Sequence, residues 1–413
     1  MIKLSIIPWE INYFVHLPPI IQTSGNFMIR ARITSLILVV VFLCSAVCLQ
    51  KVQAGIMMQE SQTLKPADSA SIQALREKPG EKKFNPGEMI MEHVVDNHEW
   101  HIFTFRHFDL TIPLPVLIIC EGKFQAFWSS EFHNEVTHAM QSYQGFIVSK
   151  KGANKGKIVT LQEEMTGKGP DVYDFSITKT VLAIFLSGIF LVLVFVSVAR
   201  RYKNEPNQAP HGLQNLLEPV ILFVRDDVAR SSIGEKKYEK YLPYLLTIFF
   251  FILLNNLLGI IPIFPGGANV TGNIAVTGVM AAFTLIITTI SGNRHYWIDI
   301  INTPGVPWWL KIPVPLMPIV EIIGIITKPF VLMVRLFANM SAGHIIILGF
   351  ISIIFIFGQI SSALGIGVGI PTLLFMIFMD LLEILVAFIQ AYVFTLLSAL
   401  YFGLATIEPE HHK

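Results

Sequence analysis

The chain is written in two styles. Its front part mixes charged, aromatic and strand-like stretches, and its back part is a succession of long apolar runs; no Asp, Glu, Lys, Arg or His occurs between Tyr241 and Asn293. The run Ser176 to Val198 is long enough for a helix across a ~30 Å hydrocarbon core, and Arg200, Arg201 and Lys203 close it. From Leu213 to Arg230, apolar residues recur at helical spacing (Leu213, Leu216, Leu217, Val220, Val224, Val228), with Glu218, Arg225, Asp226 and Asp227 elsewhere on the wheel. That pattern predicts a helix lying in the membrane interface. Residues 243–263 and 274–290 predict a transmembrane hairpin turning at Pro265, Gly266 and Gly267. The last two runs, 318–357 and 371–405, exceed a perpendicular span and predict two long helices that tilt, bend or break. Pro329 offers a kink in the first, and Gly365, Gly367 and Gly369 predict a loop between them, with residues 359–370 lengthening the connection.

The fold expected is therefore an all-α integral membrane protein: one N-terminal membrane helix, an interfacial amphipathic helix, a hairpin and two long tilted helices. A small domain with some β, such as the strand-like run His107 to Cys120, precedes them.

Composition agrees with the pattern: 53% of residues are hydrophobic, 14% are charged and the mean hydropathy is +0.59, against ~25% charged in an ordinary soluble chain. A net charge of +1 gives no concentrated basic face for nucleic acid. At the front, Arg30 and Arg32, the apolar run Ile33 to Leu49, and Val52, Gln53, Ala54 have the three regions of a secretory signal, with cleavage expected after Ala54. The residues ahead of Met28 point to that methionine as an initiator, and an uncleaved anchor helix is the rival reading. Cleavage would leave Cys120 alone, so no internal disulfide is expected. The organisation expected is a signal region at 1–54, a periplasmic domain at 55–172, a membrane domain at 173–407 and a cytoplasmic tail at 408–413, the basic residues after Val198 lying inside. The histidines of the front domain (His93, His98, His101, His107, His133, His138) lack metal-site spacing, and no metal is expected.

The chemistry sits on the two long helices. Arg335 lies in an apolar stretch, and guanidinium cannot shed its proton to escape lipid. At 100° per residue Asn339 shares its face, whereas His344 falls on the opposite one. On the last helix Glu383 and Gln390 share a stripe, with Asp380 one turn earlier and Tyr401 further along. A fixed cation with groups able to exchange protons supplies the parts of a proton path. Each residue also has a plainer reading: a salt bridge from Arg335 to Glu321 or Glu383, a Glu321–Lys328 pair, packing for His344, snorkelling for Asp380, and hydrogen-bond glue for Asn255, Asn256 and Gln390. A secondary transporter would be expected to show internal repeats, and an intramembrane enzyme would need a zinc motif or paired haem ligands.

RLFANM with the downstream AGH, EILVAFIQAYVF, EPVILFVRDDV and NNLLGIIP, in order over residues 173–406, resemble subunit a of the rotary F-type ATP synthase. The resemblance implies a non-catalytic stator subunit forming two offset half-channels against a c-ring, in a bacterial inner membrane, with subunit b of the peripheral stalk among its partners. It implies no cofactor, and nucleotide chemistry belongs to other subunits. Arg335 then corresponds to the arginine facing the c-ring, Asn339 to its neighbour and Gln390 to the glutamine near it. Familiar bacterial members carry Glu and then His where this chain has His344 and then Glu383, so the acid and imidazole are exchanged between helices. Asp380, Glu321 and Asn256 are secondary candidates. Proton rather than sodium coupling is favoured by the titratable His344.

Overall fold

The computed structural model describes residues 86–87, 90 and 96–407, apart from 106–107, 133–140, 150–155, 168, 205–208, 262–265 and 302–315. The signal region, the tail 408–413, His93, His107, His133, His138 and Pro265 lie outside the described residues.

The front domain is built from short antiparallel strands. β1 (Glu99–Phe105) pairs with β2 (Phe108–Pro113). β3 (Pro115–Cys120) lies between β4 (Lys123–Trp128) and the later β7 (Val172–Asp174). β5 (Phe146–Val148) pairs with β6 (Ile158–Thr160), which leads into the short helix α1 (Leu161–Thr166). Alternation on β3 buries Val116, Ile118 and Cys120 against Phe132, Phe146 and Ile158, a small core of its own.

This domain is fastened to the first of the described membrane helices, α2 (Lys179–Asn204). Asp96 accepts hydrogen bonds from the Thr178 hydroxyl (2.8 Å) and the Thr180 amide (3.1 Å), satisfying donors at the helix start. His98 Nε2 lies 2.9 Å from Asp174 Oδ2, and Asp174 also accepts from the Ser176 amide at 2.8 Å. Burial works against the charged imidazole, but the hydrogen bond and charge of Asp174, aided by Asp96 and Glu99, outweigh it and raise the pKa of His98. Asp174 shows the converse: burial disfavours its charge, yet His98 and the Ser176 donors hold its carboxyl below the ordinary range. Trp100, 3% exposed, joins the same buried cluster as Ala183 and Ile184 of α2. Among the described residues, no group of three His, Cys, Asp or Glu side chains is placed to hold a metal.

The membrane part follows the apolar pattern. α3 (Leu213–Phe223) passes into a π-helical stretch, Val224–Arg230, and a short turn Ser231–Ile233. Val224, Val228 and Ala229 are fully buried while Leu213 and Leu216 are exposed. The extra residue per turn of a π-helix re-aims the face, and Arg225 is held in a two-pronged pair with Asp226 (2.8 and 2.7 Å). The hairpin is α4 (Tyr238–Ile260) and α5 (Ile274–Ser291), the latter capped by the Asn273 side chain. After α6 (Arg294–Ile301) come α7 (Leu316–Ile360) and α8 (Ser362–Thr406), each of 45 residues and so about 67 Å long at ~1.5 Å per residue. Among the described residues, five helices are long and apolar enough to cross a membrane.

The connection between the two long helices differs from the expectation. Residues 359–370 do not form a lengthened loop: Gly365, Gly367 and Gly369 lie inside α8, and the break is confined to extended Ser361. A Cβ on Gly365 would come 2.8 Å from Gly358 Cα. The glycine at 365 lets the two backbones meet where the chain doubles back, as small residues do between membrane helices.

Polar contacts hold the helices in register. Tyr244 on α4 and Thr284 on α5 share a hydrogen bond (2.8 Å), and Thr284 reaches Ser398 on α8 (3.3 Å). At the end of α8 the Thr406 carbonyl accepts from Lys237 Nζ (2.8 Å) and Asn293 Nδ2 (3.1 Å), donors suited to a helix C-terminus.

Candidate functional site on the two long helices

α7 packs through a stripe at four-residue spacing, Leu332, Leu336 and Met340, all nearly fully buried, with Leu348 further along it. His344 extends this stripe and is half-buried. Arg335 and Asn339 lie off it, one turn apart on an exposed face, among exposed Phe330, Val331 and Val334. Neither salt bridge considered for Arg335 is formed among the described residues, and Glu321 does not pair with Lys328. The ammonium of Lys328 instead sits 5.8 Å from the centre of the Tyr401 ring. The structure thus presents a permanent positive charge on the outer face of an apolar helix pair.

α8 turns the opposite way. Glu383, Ala387, Gln390, Ala391 and Phe394 form its buried face, with Glu383 and Gln390 each 7% exposed. Asp380 is half-buried one turn before Glu383. The small side chains at 387 and 391 allow close approach of α4, where Asn256 Nδ2 donates to the Ala387 carbonyl at 3.3 Å and Asn256 Oδ1 accepts from the Thr271 hydroxyl at 2.6 Å. Asn256 therefore contacts α8 midway between Glu383 and Gln390, with both ends of its amide hydrogen-bonded. Asn255 Nδ2 likewise donates to the Phe251 carbonyl of its own helix (2.8 Å). Glu321 is half-buried near the start of α7, on the same side of the wheel as Arg335 and Asn339 but about four turns away from them.

Glu383 meets α7 at a residue that sequence reasoning passed over. A Cβ built on Gly343 would lie 2.9 Å from Glu383 Oε1 and 3.3 Å from its carboxyl carbon, so the absent side chain at 343 makes room for that carboxyl, one residue before His344. The acid of α8 and the imidazole of α7 are thereby brought to the same level. Glu383 Oε2 is buried and has no hydrogen-bond partner among the described residues, a costly state for a carboxyl group that serves structure alone. The signal available in the sequence was the small residue beside His344 in the AGH triplet.

The fold and this arrangement define a multi-pass membrane protein with a cation on one face of a long helix pair, without an ion-pair partner among the described residues, and a buried acid between the helices. The comparisons narrow the class. Residues 181–403 match the family model for the ATP synthase A chain, and residues 89–177 match a domain family of unknown function. A protein of Prosthecochloris aestuarii called ATP synthase subunit a 2 is 48% identical over 245 residues, covering 58% of this chain and 71% of the relative. One of the same name from Chlorobaculum tepidum is also 48% identical, over 58% of this chain and 66% of its own length. ATP synthase subunit a of Myxococcus xanthus is 39% identical over 279 residues, 67% of this chain and 88% of the relative. The chain belongs to the family of F-type ATP synthase subunit a.

Proposed function

We propose that the chain is the ion-translocating stator subunit of an ATP synthase, non-catalytic by itself, forming two offset proton half-channels against a ring of c subunits. The observation that carries this reading is Arg335, exposed on an apolar helix face with no ion-pair partner among the described residues, because a charge at membrane depth calls for an opposite charge facing it. A ring carboxyl supplies one. As it approaches, the guanidinium favours its ionised form and the proton leaves through one half-channel. Reprotonation from the other returns the carboxyl to lipid as a neutral group. The same cation repels a proton seeking a direct route between the channels.

Glu383, with its unpartnered buried oxygen, and His344 carry protons or hold water on the far side, with Asp380 as a companion at the helix entrance. Asn339 and Gln390 flank the arginine and shape the hydrogen bonding it meets, while Asn256 supports α8 from behind. Subunit b and the remaining synthase subunits complete the partner set. The basic end of α2 (Arg200, Arg201, Lys203) supports an orientation with that end inside a bacterial inner membrane, the front domain periplasmic and the C-terminus cytoplasmic. The three-part pattern before Ala54 supports export by a signal peptide.

The test is ATP-driven acidification of inverted vesicles containing the assembled complex with Arg335→Ala. Loss of pumping with assembly intact is expected. Normal pumping would reduce Arg335 to a structural charge and remove this reading.

A further inference from the structure

The front domain carries an apolar face that its own core does not use. The β4–β3–β7 sheet turns Val116 and Ile118 inward, and its register sets the opposite face in rows: Phe124, Ile119 and Tyr173, then Ala126 and Leu117, then Trp128 and Pro115. Phe124 is 64% exposed, Trp128 57%, Tyr173 43% and the following Phe175 39%. We propose that this outer face rests on the phospholipid surface beside α2, with Trp128 set in the headgroup layer.

The pairing beyond β7 decides where the face lies. The Phe175 amide donates to the Leu117 carbonyl (2.8 Å) and the Ile177 amide to the Pro115 carbonyl (3.1 Å), so the ladder runs on almost to Lys179, where α2 begins. Trp128 pairs with Pro115 and is therefore level with Ile177, at the helix end of the sheet. Strand residues advance ~3.3 Å each, which leaves the Trp128 row about 7 Å from the start of α2. The headgroup layer extends about 5–8 Å beyond the hydrocarbon on each side. An upright sheet places Trp128 in that layer, and leaning the sheet on its outer face brings Phe175, Tyr173 and Phe124 down with it.

The domain is held at this place. Asp96 binds the first turn of α2, the Lys179 amide donates to the Asn97 carbonyl at 3.0 Å, and Trp100 is buried with Ala183 and Ile184. Trp and Tyr rings, apolar in body and polar at the tip, favour the headgroup level of a bilayer. Below the sheet, α2 itself exposes Phe185, Ile189, Phe190 and Leu193, a surface suited to lipid.

An environment-sensitive fluorophore on Trp128→Cys, in the complete complex reconstituted in phosphatidylcholine and phosphatidylglycerol vesicles, tests this. The baseline is the same chain without an introduced cysteine, and a label on exposed Gln162→Cys is the solvent control. The label at 128 is expected to emit to the blue of the control, to be shielded from iodide, and to be quenched at least about twofold by lipids with a headgroup nitroxide. Iodide quenching equal to that at 162 would overturn the proposal. So would a blue shift without quenching by the nitroxide lipid, which would put a protein partner on the face instead. Phe175→Cys, on the same face, gives the same reading should Trp128→Cys fail to assemble.

Discussion

Replacing Gly343 by alanine separates the position of the Glu383 carboxyl from the stability of the fold. The new Cβ would lie 2.9 Å from Glu383 Oε1, whereas ordinary contact begins near 3.4 Å. The atom in the way is the end of a flexible side chain, so the carboxyl yields by about 0.5 Å while the helices stay in place. Glycine inside a helix costs ~1 kcal/mol relative to alanine, and a side chain pushed off its rotamer costs ~0.5–1.5 kcal/mol. The two effects nearly cancel, and the variant should assemble in normal amounts. Transport should respond more strongly. A misplacement of ~1 Å in a positioned group costs about a hundredfold, so half that displacement predicts a roughly tenfold lower rate of ATP-driven acidification. The assay compares acidification rates of vesicles matched for assembled complex, for Gly343→Ala and for the bulkier Gly343→Val, which should be lower still. Full pumping by both variants would refute the reasoning, because the carboxyl position would then not matter to proton flow.

Two further outcomes rest on other contacts. A Cβ on Gly403 would overlap the Ser232 carbonyl oxygen, a backbone atom that cannot swing aside; Gly403→Ala should therefore sharply lower the amount of subunit in the membrane, measured by immunoblot, and normal amounts would show that the turn Ser231–Ile233 yields. At the front domain, raised His98 and lowered Asp174 set a pH window. The His98 contribution is complete below its unfolded pKa of ~6.5 and is lost as pH rises through its raised folded value, whereas that of Asp174 is present above ~3.9 and is lost as pH falls through its depressed value. The protection of amides 172–178, taken as the exchange rate relative to the intrinsic rate at each pH, should therefore fall on the alkaline side in the native chain, and His98→Gln should flatten that limb; an unchanged limb would exclude His98 as its cause.

The membrane helices were legible because each must satisfy its backbone internally and face lipid with apolar side chains, so length and hydropathy alone mark Lys179–Asn204, Tyr238–Ile260 and Ile274–Ser291. The charge of Arg335 stood out for the same reason: few residues are so costly in that setting. Periodicity also separated the face of Arg335 and Asn339 from that of His344. What a one-dimensional pattern cannot carry is which neighbour fills the space beside a residue. Gly365 reads as a loop former until Gly358 is found across from it, and Gly343 reads as filler until the Glu383 carboxyl occupies its missing side chain. Asn256 reads in the sequence as a channel residue or a brace, and only the fold shows that its amide bonds Thr271 and the Ala387 carbonyl. Helices follow from local chemistry and the solvent around them, while the fit of the Glu383 carboxyl against Gly343 depends on contacts between segments far apart in the chain, which only packing brings together.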